Sequence, residues 1–274
     1  WVSNESPTLT NLVGDKRPEL ICTKRGQFGY VTVDWGNPLK EWTFHAVSGA
    51  VTSQKFGHGL GVGDVNGDGR LDIIHKDGWF AQPPSDKGTW KAHKFVFAPR
   101  GGAQMFAYDV DGDGDNDIIT SLAAHEFGMA WFEQMKAEGK GDGGGITFKK
   151  HLIMGSTRGE NKYGVVFSEL HATGLHDMDG DGLKDIVTGK TYWSHHKQSP
   201  QWDAGAVVYW FKLVRSKDGV DFVPQRADTD SGLGRQVSIG DVNGDGLPDI
   251  VSAGMKGTHV LLHAARKVSA AEYD

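Results

Sequence analysis

The chain has 274 residues, among them 39 glycines, 13 phenylalanines, nine tryptophans and one cysteine, and its formal charge is −6. The length fits one large domain or two small ones. A single cysteine excludes an internal disulfide, and no apolar run approaches the roughly 20 residues of a membrane-spanning helix. Abundant glycine and aromatic residues favour a turn-rich all-β fold.

An acidic segment recurs along the chain and sets the order of the predicted elements. A degenerate copy lies at 11–21, and intact copies begin at Asp64, Asp109, Asp177 and Asp241. Copies recur about every 45 to 68 residues, a period typical of arrays of four-stranded blades. We therefore expect an all-β fold, a β-propeller with five blades in this chain or part of a seven-bladed ring.

The predicted units follow one another with little intervening sequence. They cover 1–48, 49–97, 98–154, 155–228 and 229–264, and a polar tail occupies 265–274. Strand-like runs outside the acidic segments lie at 28–33, 42–47, 90–95, 129–134, 146–153 and 258–263. A glycine-rich loop is expected at 136–145 and an inserted polar segment at 195–203. We assign 1–264 to a single propeller domain.

Each intact copy carries Asp or Asn at positions 1, 3 and 5, Gly at position 6 and Asp at position 9. Oxygen ligands at alternate residues of a tight turn suit Ca²⁺. An EF-hand would need Glu at position 12, where this chain has His75, Thr120, Thr188 and Ser252. We predict about four structural Ca²⁺ sites in strand–loop–strand hairpins. Their ligands are Asp64, Asn66, Asp68, Asp72, Asp109, Asp111, Asp113, Asp117, Asp177, Asp179, Asp181, Asp185, Asp241, Asn243, Asp245 and Asp249.

The calcium prediction has an alternative and several consequences. An acidic turn without an ion would leave crowded carboxylates that repel one another. The degenerate copy has Val13 at position 3, so we expect no ion there. Four bound ions would bring the formal charge to about +2, which indicates no nucleic-acid partner. Calcium loops favour a secreted or periplasmic location, and a chain that begins with Trp1 is compatible with removal of a leader.

A second set of polar residues is predicted at the opposite end of the blades. If the first strand of each blade lines a central channel, the residue six places before each loop lies near the far mouth of that channel. Those residues, with polar neighbours and the ends of the second strands, are Glu5, His58, Gln104, His171, Arg235, Gln236, His75, His125, Lys190, Tyr192 and Trp193.

Two interpretations of this mouth remain open. His58, His125 and His171, with Glu5 as a possible fourth ligand, could bind an additional divalent metal such as Zn²⁺ or Mg²⁺. Such a metal would polarise a sugar carbonyl while a histidine or Tyr192 moves a proton. Alternatively, the histidines form hydrogen bonds across a water-filled channel.

The five copies resemble FG-GAP/VCBS repeats, the calcium-loop blades of integrin-α-like β-propellers. Segments 57–63, 121–128 and 187–193 further resemble secreted bacterial propellers that are similar to the propeller domain of aldos-2-ulose dehydratase. That second resemblance implies metal-assisted elimination from a keto-sugar or glycoside. By position, it implies catalytic roles for His58, His125, His171 and Tyr192. The substrate-binding candidates are Lys190, Trp193, Arg235, Gln236, Gln104 and His75.

The sequence therefore predicts a carbohydrate-active lyase or dehydratase, with a non-catalytic lectin-like or adhesive propeller as the alternative. Both functions imply a sugar or glycan partner. A lectin built from repeats would show the same pocket residues in several blades. Here the residue six places before the loop differs in every blade but two, His58 and His171, which favours one central site. The sequence carries no signal for oligomeric state.

Overall fold

The computed structural model describes residues 2–50, 57–85, 87–135, 145–193 and 197–265. These residues form β-strands and one short 3-10 helix, Arg158–Glu160. The strands are β1 (Thr8–Thr10), β2 (Glu19–Lys24), β3 (Gln27–Thr32), β4 (Thr43–Ala46), β5 (Leu60–Gly63), β6 (Asp72–His75), β7 (Gly78–Ala81), β8 (Lys91–Lys94), β9 (Gln104–Tyr108), β10 (Asp117–Ser121), β11 (Met129–Met135), β12 (Thr147–Met154), β13 (Thr173–His176), β14 (Asp185–Lys190), β15 (Val207–Ser216), β16 (Gly219–Asp228), β17 (Val237–Gly240), β18 (Asp249–Gly254) and β19 (Gly257–Leu261). Most of the predicted 136–145 loop, His195 with His196, and the tail from 266 onward lie outside the described residues.

The strands form antiparallel meanders in chain order, which we call the first to the fifth sheet. They are β1–β4, β5–β8, β9–β12, β13–β16 and β17–β19. Parallel pairing of β5 with β9 joins the second and third sheets into one eight-stranded sheet. The first strand of each sheet lies beside the first strand of the next. Successive four-stranded meanders arranged around their first strands are the blades of a β-propeller, and the predicted fold class is confirmed.

A hydrophobic cluster lies between each pair of consecutive sheets. Representative buried pairs are Ile21 with Phe80, Trp79 with Ile118, Ile119 with Phe211, and Val187 with Ile250. Alternate residues of a strand point to opposite faces, so each blade contributes side chains to two such clusters. Among the described residues, no hydrophobic cluster joins the fifth sheet to the first. These two sheets instead meet through polar contacts of Glu5 with Arg235 and Gln236.

The acidic loops lie where the sequence predicts them, between the first and second strands of their sheets. The loop that begins at Asp64, for example, connects β5 to β6. His58 precedes β5, so the loop and this histidine lie at opposite ends of one strand. The fold thus separates an acidic end from a histidine-bearing end.

Candidate functional site

The acidic loops are preorganised by their first residue. Asp64 accepts hydrogen bonds from the backbone N–H groups of Gly67 (2.8 Å), Asp68 (3.1 Å) and Gly69 (2.8 Å). Asp241 makes the same bonds in the fourth intact loop. Gly67 and Gly69 have φ values of 72° and 83°, which glycine adopts without a steric penalty. The turn therefore holds its carboxylates on one side.

Position 9 of each copy has a structural role that the sequence analysis did not predict. In the second intact loop, Asp117 is buried and accepts N–H groups from Val110 (2.9 Å) in its own loop and from Gln134 (2.7 Å) in β11. Asp72, Asp185 and Asp249 make equivalent pairs of bonds. The carboxylate therefore ties the loop to the third strand of its blade.

Burial also affects the protonation of these carboxyl groups. Burial raises the pKa of Asp72 and Asp117 to about 7 and that of Asp185 to about 6, although backbone N–H donors oppose the shift. Backbone hydrogen bonds, first among them that from the His263 N–H, lower the pKa of Asp249 in the three-stranded fifth sheet.

The loops have the donor set that Ca²⁺ prefers, and some of their charge is already offset. In the second intact loop, one carboxylate oxygen from each of three residues lies within 4.8 Å of the others: Asp109, Asp111 and Asp117. In the third intact loop, Asp177, Asp179 and Asp185 form an equivalent group. Hard oxygen donors at this separation fit Ca²⁺. Lys212 pairs with Asp179 and Asp181, and Arg70 pairs with Asp68. These basic side chains offset part of the carboxylate repulsion that is expected in an ion-free loop.

Three predicted histidines come together at the other end of the strands. His58 precedes β5, His125 follows β10 and His171 precedes β13, so each comes from a different sheet. Their ring centroids are 5.0 Å apart for His58 and His125, 5.5 Å for His58 and His171, and 4.6 Å for His125 and His171. One ring nitrogen from each lies within 4.8 Å of the others, a donor set that fits Zn²⁺ or a related divalent metal.

Glu5 lies behind His58 rather than within this group. Its Oε2 is 3.3 Å from Nε2 of His58 and 2.8 Å from Nε of Arg235, and its backbone carbonyl accepts the side-chain amide of Gln236 (2.8 Å). The structure therefore makes Glu5 a neighbour of a candidate ligand and does not support its prediction as a fourth ligand.

Glu169 is a site residue that the sequence analysis missed. It is fully buried, and its Oε2 lies 3.6 Å from Nδ1 of His171. Its φ of 66° is unusual for a residue other than glycine, and strained backbone of this kind often accompanies functional geometry. No repeat pattern marks this position, so only its proximity to His171 reveals it.

Two amide side chains connect the sheets at the same end. Gln104 donates to Oε1 of Gln236 (2.9 Å) and accepts the backbone N–H of Thr173 (2.8 Å), so it joins the third, fourth and fifth sheets. The predicted mouth residues Gln104, Gln236, Arg235 and Glu5 are thus linked by hydrogen bonds.

The remaining predicted residues lie in two different environments. Lys190 is 1% exposed, donates to the carbonyl of Thr191 (3.0 Å), and has its pKa lowered by burial while Glu169 opposes the shift. Tyr192 contacts Trp193 edge-to-face (4.4 Å) and lies beneath the Lys256 ammonium (4.6 Å). Trp193 is 43% exposed and offers a free aromatic surface beside these groups.

His75 does not belong to the histidine group. It stacks on Phe80 (4.9 Å) and contacts Phe28 (4.8 Å), between the second and first sheets. Burial lowers its pKa to about 4, so it is neutral in the folded protein near pH 7. These packing contacts do not support its predicted role in substrate binding.

A glycine allows His58 to reach its position. Gly101 has a φ of 74°, and a Cβ atom there would lie 2.8 Å from Cβ of His58. The third sheet can therefore approach His58 only because this residue has no side chain.

The chain is similar to one known sequence family and to two solved structures. The sequence profile of a family described as FG-GAP-like repeat matches residues 11–75 and 177–252, which include the degenerate copy and three of the intact ones. An Agrocybe aegerita lectin, studied for its specific recognition of non-reducing terminal N-acetylglucosamine, has a TM-score of 0.51 and 19% identity over 93% of this chain and 61% of its own. The V. cholerae biofilm matrix protein Bap1 has a TM-score of 0.36 and 13% identity over 86% of this chain and 33% of its own.

The likeness to the lectin concerns the fold alone. The chain spans about three fifths of the lectin chain and about a third of Bap1. At 19% identity the lectin shares the architecture of the sheets, and the resemblance to aldos-2-ulose dehydratase stays a prediction. Among the described residues, no helix has the length and apolar character needed to cross a membrane.

Proposed function

The chain belongs to the FG-GAP-like repeat family, and we propose that it is a carbohydrate-binding β-propeller with one binding site at the histidine-bearing end of the channel. The observation that carries this proposal is the convergence of unlike polar side chains from different sheets. That group comprises Glu5, His58, Gln104, His125, His171, Arg235 and Gln236. A single asymmetric site of this kind suits one small ligand rather than a repeated pocket.

The chemistry of the mouth suits a sugar. Sugar hydroxyls both donate and accept hydrogen bonds. The site offers carboxylates that accept, side-chain amides that both donate and accept, and a guanidinium that donates. The exposed ring of Trp193 adds an apolar surface on which a pyranose could stack. The similarity of the fold to a lectin structure supports this class of ligand.

We assign the acidic loops a supporting role at the other end. About four Ca²⁺ ions would be held by the sixteen predicted ligands, with the position 9 carboxylates tying each loop to its blade. Such loops are filled where calcium is plentiful, which favours an extracellular or periplasmic location.

Glycan binding is tested by isothermal titration calorimetry on the calcium-loaded chain. We expect one equivalent of an oligosaccharide, with N-acetylglucosamine-terminated glycans in the panel, and loss of binding in the Arg235→Met and Trp193→Ala variants. The Trp35→Ala variant removes a similarly exposed tryptophan from the first sheet and should bind normally. Several equivalents per chain, or binding that survives both mouth variants, would contradict the proposal.

A lyase or dehydratase acting on a keto-sugar is a second candidate, favoured by the histidine group itself. A divalent metal held by His58, His125 and His171 would supply polarisation of the sugar carbonyl. A group at the mouth that is not bound to the metal, for which Tyr192 is the candidate, would act as the base and take the proton from the carbon beside that carbonyl, and the C–H electron pair would form the new double bond. The C–O bond at the next carbon would break, and Tyr192 would return the proton to the leaving oxygen, which departs as water or an alcohol.

The two functions separate in one experiment. The calcium-loaded chain is incubated with a keto-sugar and with the corresponding sugar lacking the carbonyl, and the conjugated unsaturated product is followed by its ultraviolet absorbance. Product formed only from the keto-sugar would establish the lyase. Saturable binding of both sugars without product would establish the binding protein.

A further inference from the structure

Contacts at the mouth connect all five sheets in one chain of side chains. The second, third and fourth sheets supply His58, His125 and His171. Glu5, which precedes the first sheet, contacts His58, and Arg235, which precedes the fifth sheet, contacts Glu5. A ligand held by the three histidines would therefore be connected to Glu5 through His58, and to Arg235 through His58 and Glu5.

Glu5 is placed to join both neighbours of the first sheet. On the side of the second sheet, its backbone N–H donates to the carbonyl of Gly57 (3.0 Å). On the side of the fifth sheet, its carbonyl accepts Gln236 (2.8 Å) and its carboxylate accepts Arg235 (2.8 Å). The side chain of Glu5 is 12% exposed and that of Arg235 is 54% exposed, so the carboxylate is shielded while the guanidinium stays open to solvent, which screens this ion pair.

The join between the fifth and first sheets depends on such contacts more than the other joins do. Each other pair of consecutive sheets shares a buried hydrophobic cluster. Among the described residues, the fifth and first sheets share none. Burial of apolar surface is the largest favourable contribution to association between elements, so within the described part of the chain this join has the least of that stabilisation.

We propose that a divalent transition metal bound by His58, His125 and His171 acts as a clasp that fastens this weak join, with Glu5 as the link to the fifth sheet. The inference rests on the metal binding suggested for the same site under the proposed function. The metal fixes three sheets directly. It fixes the other two by holding His58 in the position from which its ring contacts Glu5.

Glu169 has a related role as the positioning residue of His171. A carboxylate beside one ring nitrogen of a metal-binding histidine sets its orientation and raises its basicity. Glu169 is buried within 3.6 Å of Nδ1 of His171, and its backbone adopts the unfavourable conformation that this placement requires. The Glu169→Gln variant should weaken metal binding about 10- to 100-fold. Partial recovery of metal affinity in Glu169→Asp would show that the carboxylate group, rather than the length and shape of the side chain, is responsible.

The clasp is tested by hydrogen exchange on the full chain in excess Ca²⁺, with Zn²⁺ as the probe. Zinc affinity is measured in parallel by calorimetry. In the parent chain, bound zinc should slow exchange of the amides near Glu5 and near Arg235 about tenfold or more, since both segments would open less often. In the Glu5→Gln variant, zinc should still bind, but exchange near Arg235 should change less than twofold.

A matched control comes from another carboxylate–histidine pair. Glu133 lies 2.6 Å from His151 on the outer strands of the third sheet, away from the three-histidine group. The Glu133→Gln variant should keep both the zinc affinity and the zinc-dependent protection near Arg235. It therefore corrects for any general effect of removing a carboxylate beside a histidine.

Three results would overturn the clasp. Equal zinc-dependent protection near Arg235 in the parent chain and in Glu5→Gln would contradict it, and so would zinc binding that gives no protection there. Absence of zinc binding in the parent chain would also overturn it. Glycan binding at the mouth is measured separately, so a chain that binds glycan but no zinc would retain the proposed carbohydrate function while losing the clasp.

Discussion

The acidic loops and the histidine-bearing mouth are assembled from the sequence in different ways. Each loop is built from one stretch of about nine residues, and its carboxylates are held by backbone N–H groups of the same blade. The mouth is built from residues of several sheets, and many of its contacts join residues far apart in the sequence, such as His58 with His125 and Gln104 with Gln236. Local sites of the first kind can be repeated, whereas a site of the second kind exists once and depends on the arrangement of the sheets.

The largest expected effect concerns the mouth. The His58→Ala, His171→Ala double variant should lose metal binding and any catalytic activity, because it removes two of three converging donors. The free energy of unfolding without added metal should change by no more than about 2 kcal/mol, the usual scale for such substitutions. Calorimetry with Zn²⁺ and urea unfolding measure the two quantities. Failure to fold would assign these histidines to the scaffold and remove the contrast between the two ends.

A pair of loop variants separates calcium binding from the structural bond at position 9. Asp117→Ala leaves the N–H groups of Val110 and Gln134 buried without an acceptor, which should cost about 2–4 kcal/mol even without calcium, and more in excess calcium because Asp117 is also a predicted ligand. Asp113→Ala removes an exposed candidate ligand and should destabilise the chain only when calcium is present. Urea unfolding in excess Ca²⁺ and in excess chelator distinguishes these outcomes. Equal losses for Asp113→Ala under both conditions would argue against an ion in this loop.

His75 lies outside the mouth, and its packing should make the stability of the fold depend on pH. Its pKa is lowered by burial to about 4 from an ordinary value of 6.5, so the unfolded chain takes up a proton first as the pH falls. The stabilising contribution of neutral His75 is fully present above about pH 6.5 and is lost as the pH falls from there toward 4. Between pH 7.5 and 5 this should cost about 2 kcal/mol.

The comparison is made with His75→Phe, which keeps an aromatic ring packed against Phe28 and Phe80. The stability of this variant relative to the parent chain should rise by about 2 kcal/mol between pH 7.5 and pH 5, as measured by urea unfolding at both values. A difference that does not depend on pH would show that His75 is protonated without penalty in the fold.

The smallest expected effect concerns Gly101, which lies against His58. Gly101→Ala combines a positive φ with a 2.8 Å approach to His58, so it should cost about 1–3 kcal/mol and weaken zinc binding. Gly164→Ala is the control, because its φ is 65° and no atom lies within 4 Å of the added Cβ. Equal zinc affinity in the two variants would mean that His58 tolerates the displacement.

The local sequence pattern was sufficient for the parts of the molecule that repeat. Asp and Asn at alternate positions, followed by a strand, placed the loops of all five sheets in the order that the structure shows. Counting six residues back from each loop also identified His58, His171 and Arg235, because strands of similar length begin at the same end of a blade. The positions of repeated loops and strand ends can be predicted from a single sequence, because the same pattern of residues recurs in each blade.

Tertiary structure alone decided the features that depend on contacts between sheets. Glu169 lies in no motif, and its position beside His171 follows from a left-handed backbone conformation and close packing. Glu5 was predicted as a possible fourth ligand, and its carboxylate lies beside Nε2 of His58 and in contact with Arg235. The pattern predicted His75 at the mouth, yet its ring packs against both Phe28 and Phe80. Sequence spacing specifies which end of a strand a residue occupies, whereas the direction of its side chain is decided by the neighbouring sheet.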